Sequence, residues 1–436
     1  MPVRNAPTPQ RQADRTLVVD NGAYSIKAGY AVPGDDLENC KVIPNCIARS
    51  RDRRVFIASQ LAKCKDYGEM AFRRPVEKGY VVNWEGEKAI WEQSLFDSHS
   101  ALQCKPRDTN LILTEAPNCP QALQTNSDQI IFEEFEFASL YRCPGLFGDP
   151  YNNAQPSPSS PPISQLPAEC VLLVDSGYSH TTVTPLLRGR PIQPAIRRLD
   201  IGGKFLTNYL KELLSLRQVD MREESYIVDE IKADTCFVSP DFRHDLERTW
   251  KGGLNDRRDV DLSVVIDYVL PDYESLHHGV IRVHDPTQTI RTRKLAAGPG
   301  PKEMVLTLGN ERFAVPELLF NPGDVGMKEV GLPDLVMQSL AMVPRGLWPG
   351  MLANVVVVGG NAKINGFLER LEAELRTRAP SEFILRIKCP EDPIKYTWLG
   401  GARMASNQDT LKQLAVTRQE YEEHGHAWVA RQFASR

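Results

Sequence analysis

Thr16-Leu17-Val18-Val19-Asp20-Asn21-Gly22 is a short apolar run ending in Asp-x-Gly, and Val171-Leu172-Leu173-Val174-Asp175-Ser176-Gly177 repeats that shape in the other half of the chain. Each reads as a buried strand running into a tight turn. Glycine tolerates positive φ and lets backbone amides come close to another group. Two such turns in opposite halves predict a duplicated α/β architecture whose halves face each other across a cleft. A third turn follows Asn354-Val355-Val356-Val357-Val358-Gly359-Gly360, and an amphipathic helix follows it with Phe367, Leu368, Leu371 and Leu375 on one face. A strand, a glycine pair and a helix start can seat a phosphate or nucleotide, although a plain tight connection has the same pattern.

The apolar spacing predicts further helices over 127–141, 206–216 and 226–237. Seven prolines fall between Pro144 and Pro167, together with Gly, Ser and Asn, which predicts a flexible loop. A second irregular region, 251–302, is read as a partly disordered insertion. It holds an apolar island, Val264-Val265-Ile266-Asp267-Tyr268-Val269-Leu270-Pro271-Asp272-Tyr273. Val265, Ile266, Tyr268, Leu270 and Tyr273 either pack on their own domain or present a docking surface, and both readings stay open.

Of the 436 residues, 42% are hydrophobic and 25% charged, enough for a sizeable core. No apolar run approaches the roughly 20 residues of a bilayer-spanning helix, so no membrane partner is expected. The polar start of the chain does not read as a secretory signal. A net charge of -4 does not describe a general nucleic-acid binder. The nine cysteines include no C-x-x-C, so no zinc site is expected and they read as reduced thiols.

These residues resemble actin and the actin-related proteins over nearly the whole chain. The likeness rests on Asp20-Asn21-Gly22 with Lys27-Ala28-Gly29-Tyr30, Glu77-Lys78-Gly79, Leu113-Thr114-Glu115-Ala116-Pro117, Asp175-Ser176-Gly177, Asn310-Glu311-Arg312-Phe313, Gly359-Gly360 and Lys395-Tyr396. It implies an α/β actin-like fold of two pseudo-symmetric halves, or four subdomains, around a central cleft. The expected layout has a disordered extension over 1–15 and a first half over 16–143, with a small second subdomain at about 47–80. A Pro-rich loop over 144–168 and a second half over 169–350 follow, and 351–436 return to the cleft and the first half.

The resemblance implies a degenerate nucleotide site. Asp20, Gly22, Lys27, Asp175, Gly177, Gly202, Gly203, Lys232, Gly359, Gly360 and Lys395 stand where the family holds ATP and its divalent metal. The departures gather at the phosphate end. Ala23-Tyr24 replaces Ser-Gly and Tyr178-Ser179 replaces Asp-Gly. Gly145 falls where the family orients water with Gln, Thr182 where it has a cleft His, and Ala233 where it has a base-side Glu. Phosphoryl transfer depends on positioning, so no hydrolysis is expected. Tyr24 and Tyr178 are expected to crowd the phosphate pocket and help hold the cleft shut. No metal site is assigned and no cofactor is required, with ATP or ADP binding left open.

The stretch 50–74 is short and basic, including Arg51, Arg53 and Arg54. Like charges there oppose self-stacking, so no filament is expected. The rim is either a solvated face or a contact for DNA or an acidic partner. Within the family the likeness is to a nuclear branch. It implies a non-catalytic scaffold subunit of a Swr-type chromatin-remodelling complex, which exchanges nucleosomal histone two-A for its variant. The implied partners are the other subunits and the nucleosome, through histones and DNA. An actin-like ATPase that builds filaments and a sugar kinase of the same superfamily are the competing readings. Each would need an active-site set that this sequence lacks.

Overall fold

The computed structural model describes residues 15–32, 37–144, 169–250, 252–253, 256–257, 260–285 and 303–435. The expected N-terminal extension, the Pro-rich loop after Pro144 with Gly145, and much of the expected insertion lie outside these residues.

Both opening runs are central strands of mixed six-stranded sheets. Arg15–Asn21 turns back antiparallel on Ser25–Tyr30 and lies parallel to Thr109–Glu115, which is itself parallel to Ser139–Pro144. Cys170–Ser176 turns back on Thr181–Leu187 and lies parallel to Val355–Val358, with Ile387–Lys388 beyond. The repeat in the sequence is therefore a repeat in the fold. Neither run alternates polar and apolar residues, because both faces of each strand are covered. Leu17 and Val19 pack with Ile26, Leu111 and Leu113, while Val18 packs on the other face with Ile112 and Trp398. Leu172 and Val174 belong to the main core of the second half, and Val171 and Leu173 to a separate cluster with Leu186 and Val356.

The chain's return to the first half is fixed by the helix Tyr396–Ser406. Its Trp398 is buried and donates its indole N–H to the Val18 carbonyl at 3.2 Å. Strand Val416–Thr417 completes the first sheet beside Ser139–Pro144.

The helices expected near 206–216 and 226–237 form as Gly203–Arg217 and Ser225–Thr235. The helix expected over 127–141 does not. Gln121–Gln129 is α-helical, Ile130–Glu134 is a wider turn of helix, and Leu140 and Tyr141 lie on a strand. Glu136 at φ 60° breaks the path between them.

The apolar island also differs from the docking expectation. Ile266–Val269 is the middle strand of a three-stranded sheet, between Val280–Val283 and Val305–Leu308. Tyr268 is fully buried and Leu270 is 9% exposed, within the core of the second half. Ile266 packs partly buried against that core, and Val265 is half-buried. Tyr268 sits between Ile281 and Leu306 across both ladders, so the island mostly serves its own domain, while Tyr273 packs partly on that core and also reaches Tyr67 of the small 47–80 unit.

Residues 47–80 hold a small unit of three strands, Ile47–Arg49, Val55–Ile57 and Ala71–Arg73. Its core is modest, with Cys46, Ala48, Leu61 and Met70 buried. Tyr226, from the second half, packs against that cluster.

Candidate functional site

The two Asp-x-Gly turns end facing one cavity of about 420 Å³. Asp20, Gly22, Lys27, Asp175, Gly177, Gly203, Lys232, Gly359 and Gly360 line it, together with Tyr24 and Tyr178. A volume of that order is typical of small-molecule sites, about 300–1,000 Å³.

The first loop is fixed from beneath. Asp20 pairs with Lys27 across the hairpin at 3.2 Å and accepts from the Thr114 hydroxyl at 2.7 Å. Gly22 is not at positive φ; it is glycine because a Cβ there would lie 2.7 Å from the Ser25 carbonyl oxygen. The Gly22 carbonyl accepts from Asn45 Nδ2 at 3.0 Å. Asn45 also reaches the fully buried Glu87, which accepts from Trp91 Nε1 at 3.1 Å. Burial pushes the Glu87 carboxyl up to about 7, against hydrogen bonds from Asn21, Trp91 and Asn45.

The second loop is fixed by Asn361, whose amide donates to Ser176 Oγ at 3.1 Å and to the Gly177 carbonyl at 2.9 Å. Burial, and then the Asp20 carboxylate, push the Asp175 carboxyl up to about 6, while Lys27 opposes them. Asp20 and Asp175 thus share one nearby ammonium. The two carboxylates suit the waters of a hydrated divalent ion, and the Lys27 ammonium suits a phosphate rather than the metal. Among the described residues there is no group of three or more His, Cys, Asp or Glu placed to hold a metal directly.

Ala233, Ile364, Pro393 and Ile394 give the cavity an apolar wall, beside Lys363, and a Cβ on Gly360 would meet nothing within 4 Å. A wall of this kind suits a nucleoside. Lys232 is pinned rather than available. It bonds Asp229 at 2.7 Å, Thr207 at 2.7 Å and the Gly203 carbonyl at 3.2 Å. Two expected contacts fall outside the cavity wall. Lys395 donates to the Leu37 carbonyl at 3.2 Å, and Gly202 is packed under the backbone of Tyr178 and His180.

Among the described residues, three sets of contacts join the halves around this cavity. In the first, the Tyr24 and Tyr178 rings meet at 4.9 Å, tilted 51°. The Arg74 guanidinium lies 4.6 Å from one ring centre and 5.0 Å from the other. It also donates to the carbonyls of Tyr24 at 3.0 Å and Asn45 at 3.2 Å. Burial, and then the Asp229 carboxylate, hold the Tyr24 phenol well above its ordinary range. Burial alone would raise Asp229, but Lys232, Thr207 and Tyr24 outweigh it and leave the carboxyl below its usual range. Tyr24 as a whole is 44% exposed, and it is the hydroxyl, turned to Asp229, that is enclosed. The ring pair therefore bridges the halves and lines the cavity without filling it.

In the second contact, Arg198 donates to the Lys78 carbonyl at 2.8 Å and pairs with Asp200 at 2.7 Å. Gly79, at φ 83°, lies under the His180 ring, where a Cβ would come within 2.3 Å of Cε1. Burial, then Arg198, lower the His180 pKa to about 4, so the ring is neutral near pH 7. The third contact is an aromatic clasp. Tyr67 stacks on Tyr226 at 4.3 Å and 9°, Phe72 stacks on Tyr226 at 5.9 Å, and Tyr273 approaches Tyr67 at 5.9 Å. The Glu69 amide donates across to Glu224 at 3.1 Å.

Arg51, Arg53 and Arg54 are exposed at the outer rim. Arg51 lies 3.3 Å from Glu69 and Arg54 2.8 Å from Asp52, so acidic neighbours partly offset the charge. Arg74, Asp229, Arg198 and Glu87 were not picked out from the sequence as site residues. Only the structure brings them to the loops.

The actin family profile matches residues 11–434. The chain is 54% identical over 424 residues to a Neurospora crassa protein named actin-related protein 6, covering 96% of this chain and 94% of the relative. It is 49% identical to the Aspergillus fumigatus actin-like protein arp6, covering 99% of this chain and 97% of that one. It is 34% identical to Drosophila melanogaster actin-related protein 6, covering 95% and 98%.

Proposed function

Because the chain belongs to the actin family, among its actin-related proteins, we propose that it is a non-catalytic scaffold whose cleft is held closed by its own side chains. The assembly it serves is a nuclear, Swr-type chromatin-remodelling complex that exchanges nucleosomal histone two-A for its variant. The chain presents an actin-fold platform to other subunits and to the nucleosome.

The observation that carries the reading is the ring pair. Tyr24 and Tyr178 replace small or acidic residues of the phosphate loops and meet at 4.9 Å beneath Arg74. In place of a nucleotide, contacts within the chain support closure of the actin-type cleft at three places. The hydrolytic groups are missing as well. Thr182 is buried at 3% exposure, and Gly145 has no side chain to orient water. The retained Asp20, Lys27 and Asp175 and the apolar wall support binding of ATP or ADP without turnover. When bound, the nucleotide would supply cohesion between the halves rather than energy.

Phosphate release by the purified chain tests the catalytic half of this reading. No release above buffer is expected, and steady turnover abolished by Asp175→Asn would establish the alternative, an actin-like ATPase. Purification of the tagged native protein tests the rest, with the subunits of a histone-exchange complex expected alongside it. Charge reversal of Arg51, Arg53 and Arg54 then asks whether the basic rim contributes to nucleosome affinity. A salt-sensitive loss is expected of a phosphate contact.

A further inference from the structure

The three-stranded sheet of the second half has two unlike edges. At one edge, Val305–Leu308, the Gln218 side chain acts as a substitute strand. Its amide donates to the Thr307 carbonyl at 2.7 Å, and its oxygen accepts from the Thr307 N–H at 2.9 Å. At the other edge, Val280–Val283 pairs with Ile266–Val269 on its inner side. Among the described residues no group caps its outer side. Val280 is 41% exposed, Ile281 47% and Val283 91%.

The register shows what this edge lacks. Ile281 lies across from Tyr268 and Leu306, and Val283 lies across from Ile266 and Leu308. Tyr268, Leu306 and Leu308 are fully buried. The core face of the sheet therefore runs one strand past the body of the domain and ends as a bare aliphatic ledge. Of the usual guards of an open edge, Lys and Pro are absent from Val280-Ile281-Arg282-Val283, which leaves its shortness and Arg282. The one charge, Arg282, is already matched by Glu303 at 2.7 and 3.0 Å.

We infer that the Val280–Val283 edge is a strand-addition site for an extended segment of a partner polypeptide. A row of backbone donors and acceptors is satisfied in full only by another strand, and the ledge sets the side chains that strand carries. They are aliphatic at the alternate positions that cover Ile281 and Val283, and uncharged between, since Arg282 is neutralised. A second copy of this chain does not suit the site. Four residues fall far short of the 20–30 per side that a stable interface buries. A tail anchored elsewhere in an assembly needs no more than this.

The inference rests on the reading of the chain as a subunit, and the test separates the two. The tagged assembly is purified from cells, and amide exchange over 280–283 is compared with that of the isolated chain. Slowing of alternate amides by about tenfold or more in the assembly is expected. Ile281→Lys and Val283→Lys, both at exposed positions, should abolish the slowing without lowering the melting temperature of the isolated chain. Equally fast exchange in both samples overturns the inference while leaving the subunit reading intact. Exchange already slow in the isolated chain also overturns it, by giving the edge to the chain itself. Purification of the chain without partners would sink the subunit reading first.

Discussion

Replacing Tyr226 with alanine removes the centre of the aromatic clasp. Tyr226 stacks on Tyr67 at 4.3 Å and on Phe72 at 5.9 Å, and both partners belong to the small 47–80 unit. Each such pair contributes about 0.5–1.5 kcal/mol beyond burial, so the two together favour closure by about 1–3 kcal/mol. That corresponds to about a 5- to 150-fold change in the ratio of closed to open cleft. Tyr226 is half-buried and packs against the small unit's cluster, so the two main cores are left in place. The reporter is the Glu69 amide, which crosses the mouth to Glu224 at 3.1 Å. Its hydrogen exchange should accelerate by a factor in that range in Tyr226→Ala, with little change in melting temperature. Leu216→Ser, at a position 84% exposed, serves as the control. Unchanged Glu69 exchange in a folded Tyr226→Ala protein would refute the reasoning, because the rings would then contribute nothing to closure.

Gly79→Ala should destabilise by more than Gly326→Ala in thermal denaturation. Both positions have positive φ, which costs about 1–2 kcal/mol, but only the first drives a Cβ against His180. Arg142→Ala should cost about 3–5 kcal/mol, because it strands Asp128, which it holds at 2.7 Å with both side chains at 3% exposure or less. Chemical denaturation reads that loss, and Arg142→Leu combined with Asp128→Leu should recover much of it. Glu87→Gln should flatten the dependence of stability on pH. The folded Glu87 carboxyl is raised to about 7 from 4.5. Its contribution is therefore whole below the unfolded value and is lost as pH rises towards 7, on the order of 3 kcal/mol by pH 8. The variant should melt higher than the natural chain at pH 8 and near it at pH 5. Tyr24→Gly with Tyr178→Asp should speed nucleotide uptake measured by fluorescence and still give no phosphate release, since Thr182 and Gly145 are unchanged.

The sequence carried the duplicated strand-turns because both faces of each strand are covered, which leaves an unbroken apolar run. It carried the cavity wall equally well, since Asp20, Lys27, Asp175 and Gly359 lie within or beside those runs. The island at Val264–Tyr273 was ambiguous, because a central strand and a sticky surface have the same composition. Only the ladders to Ile281 and Leu306 decide it. The helix expected over 127–141 failed for a related reason, as Leu140 and Tyr141 continue its apolar spacing while lying on a strand. Arg74 was visible only as one more basic residue of the rim. Its place over two rings depends on contacts some 50 and 100 residues away in the chain, which no local pattern records. Asp229 and Tyr226 have the same history, since they face the cleft from a helix whose periodicity reports only its buried side.

The central claim is that closure of the cleft does not depend on a bound nucleotide. It is tested most directly by exchange of the Glu69 amide in the chain stripped with chelator and apyrase, compared with that in excess Mg-ATP. Any nucleotide bound to the folded chain at about 1,000 times its Kd adds about 4 kcal/mol of stability by mass action, whether or not it closes the cleft, so closure is read at the cleft itself. The clasp, the ring pair and the Arg198 contact predict that Glu69 exchanges as slowly in the stripped chain as with Mg-ATP. Much faster Glu69 exchange on stripping, reversed by Mg-ATP, would contradict the claim.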